Sequence, residues 1–316
     1  MSGRSPATAG APAARLPSGV TLLERNWLSS NNLLVSDGAE AALIDSGYVT
    51  QAEQTVALVE HALGKASLTV LVNTHLHSDH CGGNAALQSR FPGLLTWVPP
   101  AQFAQVRNWD PVALTYVPTG QQCPRFRADG ALTPGMTPRL GGQSWEVHAA
   151  PGHDPHSVIL FEPRSRLLVS ADALWNNGFG VVFPELDGED AFKEVGDTLD
   201  LIESLQPRVV VPGHGPAFED VDSALTRARA RLASLAADPA KHARHGAKVL
   251  LKFHLLQQER HDRDEFLAWA MATPYLQTIR ARWAPRVLAT EWVLELLGEL
   301  ERAGAARVDG DWIRNA

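Results

Sequence analysis

Apolar positions follow two different periods along this chain. Short runs rich in branched residues, with polar residues closing them, predict strands at Val20 to Arg25, Asn32 to Ser36, Ala41 to Asp45, Leu68 to Val72 and Leu94 to Val98. Asp37-Gly38 between the second and third runs is a hairpin turn signal. A second group of such runs covers Trp145 to Ala149, Ser157 to Glu162, Leu167 to Ala171 and Val209 to Val211. Between the runs the period becomes helical. Gln51 to Leu63 carries Ala52, Val56, Val59 and Leu63 on one face, and Gly64 supplies the stop. A short helix is expected over Gly83 to Ser89, and a longer one over Ala191 to Leu205 with Phe192, Val195, Leu199 and Ile202 on its apolar side. Strands and helices in this order fit an α/β (α+β) chain with two sheets sandwiched between helical layers. Residues 109–144 hold many Pro and Gly and no clear period, and are expected to be an insertion of loops near the site.

After Pro216 the composition shifts to Ala, Leu, Arg and Glu, which predicts a mostly helical region over residues 219–316. Helices are expected at Ser223–Ala236, Ala247–Arg260, Asp264–Ala272 and Thr290–Ala303. The end differs, because Asp309-Gly310 lies between two short β-prone arms within Ala306 to Ile313. A helix followed by that hairpin is winged-helix-like. Its basic and acidic residues are interleaved, as on an ordinary solvated surface, so a lid, a pocket wall or a homodimer surface is favoured over nucleic-acid binding.

Size and composition narrow the function classes. The 316 residues can hold one large core plus an accessory segment. The net charge of −7 argues against nonspecific nucleic-acid binding. Cys81 and Cys123 are the only cysteines and give no disulfide framework, which suits a cytoplasmic protein. No stretch approaches the roughly 20 apolar residues of a membrane span. Residues 1–18 are rich in Ala, Pro, Gly and Ser without an apolar core segment, and are expected to be a disordered leader before a catalytic domain over residues 19–218.

Chemistry concentrates in Thr74-His75-Leu76-His77-Ser78-Asp79-His80. The heptapeptide leaves the run Leu68 to Val72, so a rigid strand can aim its side chains at one point. Imidazole nitrogen and carboxylate oxygen are the ligands of a reactive zinc-like divalent cation. Further ligand candidates sit at other strand ends: His153 in Gly152-His153-Asp154, Asp172 after Leu167 to Ala171, and His214 in Pro212-Gly213-His214-Gly215. Three neighbours have simpler readings. His148 and His156 are surface or supporting residues, Asp45 is a turn or supporting residue, and Cys81 is a small buried hydrophobe.

These motifs, in this order and spacing, resemble the metallo-β-lactamase superfamily in its hydroxyacylglutathione-hydrolase and lactonase branches. Leu43-Ile44-Asp45-Ser46-Gly47 also resembles the family's early strand and turn, and the likeness covers roughly residues 20–220. The resemblance implies the αββα sandwich and two divalent metal ions, zinc first, with iron or manganese as alternatives. It implies that one ion takes His75, His77 and His153, the second takes Asp79, His80 and His214, and Asp172 bridges them. Two such cations lower the pKa of a shared water towards ~7, and the resulting hydroxide attacks a thioester, ester or lactone carbonyl. Asp79 is a candidate for a second role, orienting water or passing a proton. His156 departs from the small residue common in relatives, and Trp175 stands where lactonases often carry a tyrosine.

Expected substrate contacts for a small acyl compound follow from position: Trp27 in an early loop, Trp109 and Tyr116 in the proline-rich insertion, and Trp175 and Phe179 after Asp172. Two other functions use the same residues. One is an iron-dependent persulfide dioxygenase, in which the equivalents of His75, His153 and Asp172 hold a single iron. The other is a nucleic-acid processing phosphodiesterase.

Overall fold

The computed structural model describes residues 14–316. Its first sheet has the order β1 (Val20–Leu23), β2 (Asn32–Ser36), β3 (Glu40–Ile44), β4 (Ser67–Val72), β5 (Leu95–Val98) and β6 (Gly130–Ala131). The β1–β2 and β2–β3 pairs are antiparallel, and the remaining pairs are parallel. The turn between β2 and β3 closes because the Asp37 carboxylate accepts the backbone N–H groups of Ala39 and Glu40, both at 2.9 Å. A small hairpin, β7 (Arg139–Leu140) with β8 (Gln143–Ser144), leads into the second sheet. That sheet contains β9 (Glu146–Ala149), β10 (Val158–Glu162), β11 (Leu167–Ala171) and β12 (Val209–Pro212), in the order β12-β11-β10-β9.

Alternation along the strands builds the layers. Leu33, Val35, Ala42 and Ile44 of the first sheet meet Val158, Leu160, Leu167, Val169, Val209 and Val211 of the second in one buried cluster. The intervening Leu34, Ala41 and Leu43 point the other way, onto Val59 of helix α1 (Ala52–Leu63). Helix α2 (Ser78–Cys81) carries part of the histidine motif, and α3 (Asn84–Arg90) adds Leu87 to the same outer layer. Helix α4 (Phe103–Asn108) precedes the proline-rich segment, and α5 (Tyr116–Thr119), β6, β7 and β8 lie within it, so it is partly structured rather than all loop. After α6 (Phe183–Asp187), helices α7 (Phe192–Leu205) and α8 (Val221–Ala237) cover Ile159, Phe161, Leu168 and Val210 on the outside of the second sheet. The result is helices, two sheets, and helices again. Each fully buried aliphatic side chain contributes roughly 1.5–3 kcal/mol to holding these layers.

Several expectations shift. The leader was expected to reach residue 18, yet Ala14 and Leu16 pack against the cluster between the sheets. Residues 1–13 lie outside the described residues. Helix α8, expected in a separate C-terminal region, is the outer layer of the second sheet. Helix α9 (Pro239–Leu255) starts eight residues before the expected 247, because Asp238 caps it by accepting the N–H of Lys241 and Pro239 suits the first turn. Helix α10 (Arg263–Ala272) is followed by α11 (Pro274–Trp283), which the sequence pattern missed: Thr273-Pro274 looks like a break but is a helix start. Helix α12 (Ala289–Arg302) precedes the expected hairpin, β14 (Ala306–Asp309) and β15 (Trp312–Asn315). A short strand after α9, β13 (His261–Asp262), pairs with β15 to make a three-stranded sheet. Helices α9 to α12 and this sheet share one apolar core, which also takes Val181 and Leu186 from the sandwich. No helix among the described residues is long and apolar enough to cross a membrane.

Candidate metal centre

The ends of β4, β9, β11 and β12 converge on one edge of the sandwich. Past β4, the chain bends through Thr74 and presents His75 and His77 before α2 begins at Ser78. His75 Nε2 lies 3.1 Å from His77 Nδ1, which lies 2.8 Å from His153 Nε2. On the other side, His214 Nε2 is 3.1 Å from Asp79 Oδ2, and His80 Nε2 is 3.9 Å from that same oxygen. Asp172 stands between the two groups. Its Oδ2 is 3.3 Å from His153 Nε2, while its Oδ1 is 3.5 Å from His80 Nε2 and 3.9 Å from His214 Nε2. The donor atoms within His75–His77–His153, and within Asp79–His80–His214, all lie within 4.8 Å of one another.

The backbone is shaped for this approach. Asp45 and Ala171, at the ends of β3 and β11, both adopt positive φ, 59° and 46°. Such conformations cost of order 1–3 kcal/mol for a non-glycine residue and cluster at functional sites. A side chain at Gly213 would place its Cβ 2.1 Å from Asp172 Oδ1, and one at Gly180 would meet His153 Nδ1 at 2.4 Å. Only glycine lets these two segments close around the cluster.

Outer partners fix the ring orientations. His80 Nδ1–H donates to Asp45 Oδ2 at 2.8 Å, leaving Nε2 to face the centre. Asp45 itself accepts the N–H and the hydroxyl of Thr74, so it is the supporting carboxylate expected from sequence. His153 Nδ1–H donates to the carbonyl of Val181 at 2.6 Å. His77 turns the opposite nitrogen inward, and its Nε2 lies 3.6 Å from Asp154. In the neutral ring each arrangement puts the proton on the outer nitrogen and turns the other towards the cluster, the tautomer a metal ligand needs.

Charge follows the same logic. Burial pushes the His80 pKa down, but the carboxylates of Asp172 and Asp45 outweigh burial and hold it well above the ordinary value. Burial pushes Asp172 up, yet His80, His214 and His153 bring it well below the usual carboxylate range. Asp79 is likewise raised by burial and lowered further by His214 and His80, with a net fall. Burial and the neighbouring imidazoles hold His75 well below its ordinary value, and burial takes His153 down to about 4. Ionised carboxylates thus face a set of imidazoles, an environment that attracts a cation. His80 Nε2 is buried without a hydrogen-bond partner while aimed at this point, an orphaned atom that a cation would satisfy. The residues fit divalent metal.

The expected pocket residues separate into two groups. The loop between β1 and β2 is pinned where Ser30 N–H donates to Asp79 O and Asn31 N–H to Gly213 O. It carries Trp27, 61% exposed and stacked on His214 at 5.1 Å. Trp175 meets both Trp27 and His214 edge-on and donates its Nε1–H to Asp172 Oδ1 at 3.1 Å. Trp109, Tyr116 and Phe179 have other neighbours. Trp109 packs on Phe126, and Tyr116, 3% exposed, bonds Cys81 Sγ. Phe179, 1% exposed, lies beneath the guanidinium of Arg231. Trp109 and Tyr116 pack with Leu76, Val98 and Phe126, and Phe179 packs in the apolar cluster beneath α7 and α8. Cys81 has the expected buried, non-ligand role, and neither His148 on β9 nor the exposed His156 joins the cluster. The missed residue is Phe183, whose ring stands edge-on to His77 at 4.9 Å and His153 at 5.6 Å. Its only sequence signal was its place at the end of the loop after Asp172.

Comparison with known proteins agrees with this geometry. The family model of the metallo-beta-lactamase superfamily matches residues 25–214. A hydroxyacylglutathione hydrolase of Anaeromyxobacter dehalogenans is 32% identical over 211 residues, covering 65% of this chain and 71% of that protein. The chain spans about half the length of another, from Stenotrophomonas maltophilia, at 30% identity over 48% of each chain. An atrochrysone carboxyl ACP thioesterase of Aspergillus fumigatus is 23% identical over 61% of this chain and 52% of its own. A metallo-beta-lactamase family protein of Thermus thermophilus shares the fold over 96% of this chain and all of its own, with TM-score 0.57 and 20% identity. A protein solved in a di-iron-bound form matches 65% of this chain and 96% of its own, with TM-score 0.52 and 28% identity. The chain therefore belongs to the metallo-beta-lactamase superfamily of metallo-hydrolases, in its branch similar to the hydroxyacylglutathione hydrolases.

Proposed function

We propose that this protein is a binuclear metal-dependent hydrolase of a thioester, with esters and lactones as the neighbouring substrate classes. The observation that carries the reading is the presence of two complete donor triads, each facing a different oxygen of Asp172. His75, His77 and His153 would hold one divalent ion and Asp79, His80 and His214 the other, with zinc the first choice and iron or manganese the alternatives. Bound there, such ions would acidify water and polarise a carbonyl. The chain's own residues supply the rest. Asp45 and Val181 keep His80 and His153 in their tautomers. Asp79, ionised at neutral pH, is the group able to take a proton from water on its carboxylate and release it to the leaving group. Trp27, Trp175 and Phe183 offer an apolar, aromatic approach that suits an acyl group and excludes bulk water. Two relatives whose names state hydrolysis of different thioester carriers support the choice of thioester.

The test is metal content per chain in protein purified without chelator, followed by thioester, lactone and phosphoester assays. Two divalent ions and thioester turnover, both reduced in His77→Ala and His153→Ala, are expected. One iron per chain with oxygen uptake on a persulfide would replace the hydrolase with the dioxygenase reading. Phosphoester turnover alone would replace it with the phosphodiesterase.

A further inference from the structure

The segment after Asp172 is gripped from both sides. On its inner side Gly180 N–H donates to the backbone carbonyl of Asp172 at 2.9 Å, Val181 O accepts His153 Nδ1–H, and Phe183 N–H donates to His153 O at 3.2 Å. On its outer side helices α8, α9 and α11 hold it. Arg227 of α8 donates to the backbone and side-chain oxygens of Asn176 at 2.8 and 2.7 Å. Tyr275 of α11 donates to the carbonyl of Phe183 at 3.0 Å. Gly246 of α9 faces Leu186 and Val181 so closely that a Cβ there would stand 2.7 and 3.3 Å from them.

One of these outer contacts lands on a chemically special peptide. His242 of α9 accepts the N–H of Val182 on its Nε2 at 3.1 Å. The N–H of Val182 and the carbonyl of Val181 belong to a single planar peptide unit. We propose that His242 is a positioning residue for the metal centre, fixing through this one peptide the carbonyl that orients His153. The inference rests on the metal-centre reading above and extends it to a residue in the C-terminal helices.

The chemistry of each partner is consistent. His153 must carry its proton on Nδ1 to keep Nε2 free, so it needs a fixed acceptor, which is Val181 O. A peptide that donates at its N–H while accepting at its carbonyl is polarised in the direction that strengthens both bonds. His242 is buried with 1% exposure and packs edge-on against Phe192 at 5.4 Å, so its ring has little freedom to turn away. Burial first, and then His245 and Arg231 nearby, lower its pKa to about 4, which leaves Nε2 unprotonated and able to accept at neutral pH.

The experiment compares His242→Leu, His242→Gln and His242→Asn in the full chain. Zinc affinity is read by competition with a chromophoric chelator, and site geometry by the absorption bands of the cobalt-loaded protein. Leucine fills the space but accepts nothing. Glutamine reaches with a carbonyl oxygen, and asparagine is too short to do so. Loss of an outer partner typically costs 10–100-fold in metal affinity. His242→Leu and His242→Asn are expected to lose affinity in that range at one of the two sites, with altered cobalt bands, while His242→Gln restores both. Should the leucine variant not fold, the glutamine and asparagine pair still decides the matter. Wild-type affinity and bands in His242→Asn would overturn the proposal, as would a glutamine variant as damaged as the asparagine one. A wild-type protein that binds no metal would instead overturn the metal-centre reading itself.

Discussion

Asp45 is the most informative single position to change, because its carboxylate is used completely. Oδ1 accepts Thr74 N–H at 2.9 Å, and Oδ2 accepts both the Thr74 hydroxyl and His80 Nδ1–H at 2.8 Å. Asp45→Asn keeps the volume, and asparagine tolerates the φ of 59° as well as aspartate does. The variant therefore isolates one change: an NH2 group replaces Oδ2. With Oδ1 still on Thr74 N–H, that NH2 meets His80 Nδ1–H, donor against donor. The neutral imidazole that a metal needs would then carry its proton on Nε2, the atom that faces the cluster. Metal binding must then first reverse the tautomer. The expected loss is 10–100-fold in affinity at the Asp79–His80–His214 group, or about 1.4–2.7 kcal/mol. The metal-free protein should also lose on the order of 2 kcal/mol, because a buried hydrogen bond to a charged group disappears. Chelator competition measures the first effect and denaturant unfolding in excess chelator the second. A variant that binds two ions at wild-type affinity would refute the argument and reduce Asp45 to a turn residue.

Gly213→Ala should lower metal content while the circular dichroism spectrum is retained, since its Cβ would stand 2.1 Å from Asp172 Oδ1 and push that oxygen aside. Trp27→Ala should leave stability within about 0.5 kcal/mol because the ring is largely exposed, yet raise KM for an apolar acyl substrate; an unchanged KM would remove Trp27 from the pocket. Phe183→Ala should raise KM and lower kcat together, read from steady-state kinetics, because the ring covers both His77 and His153. Stability of the metal-free protein should fall as pH drops from about 6.5 towards 4. His242 has its pKa lowered to about 4 when folded, so the unfolded chain binds more protons in that window. Its contribution is fully present above the unfolded value and declines by at most about 3 kcal/mol below the folded one; denaturant unfolding at pH 7 and pH 4.5 should show a shallower slope in His242→Gln.

The layers were legible because alternation is a local property. Leu33 and Val35 face one way and Leu34 the other, and this follows from the strand's own geometry whatever it packs against. The cluster of candidate donors was legible for a similar reason. Four of its members lie within six residues, and the others each follow a strand that ends at the same sheet edge. The features that escaped depended on partners distant in sequence. Helix α11 hid behind Thr273-Pro274, a pair that can end one helix or begin another according to its surroundings in space. Phe179 lies in the loop after Asp172, and Phe183 begins α6 at the end of that loop. The sequence pattern selected Phe179 as a pocket wall, yet it is Phe183 that stands against the imidazoles, because Arg231 from α8 covers Phe179.

That difference has a physical origin which bears on the substrates this chain recognises. A metal ligand must present a particular atom at a particular point, so residue type and spacing constrain it strongly. A pocket wall needs only shape and polarity, which many residues supply, and its placement is decided by whatever holds the loop. Here the loop after Asp172 is held by Arg227 of α8, the outer layer of the sandwich, and by His242 and Tyr275 of α9 and α11. The strand ends carry the donor atoms; helices α8, α9 and α11 set where Phe183 stands and how His153 is turned. Substrate selectivity in this protein should therefore respond to changes in α8, α9 and α11 that touch neither metal ligand nor substrate. Exchanging the α8–α11 contacts on this loop should move KM among acyl groups of different size before it moves metal content, whereas changes at His242 should move both.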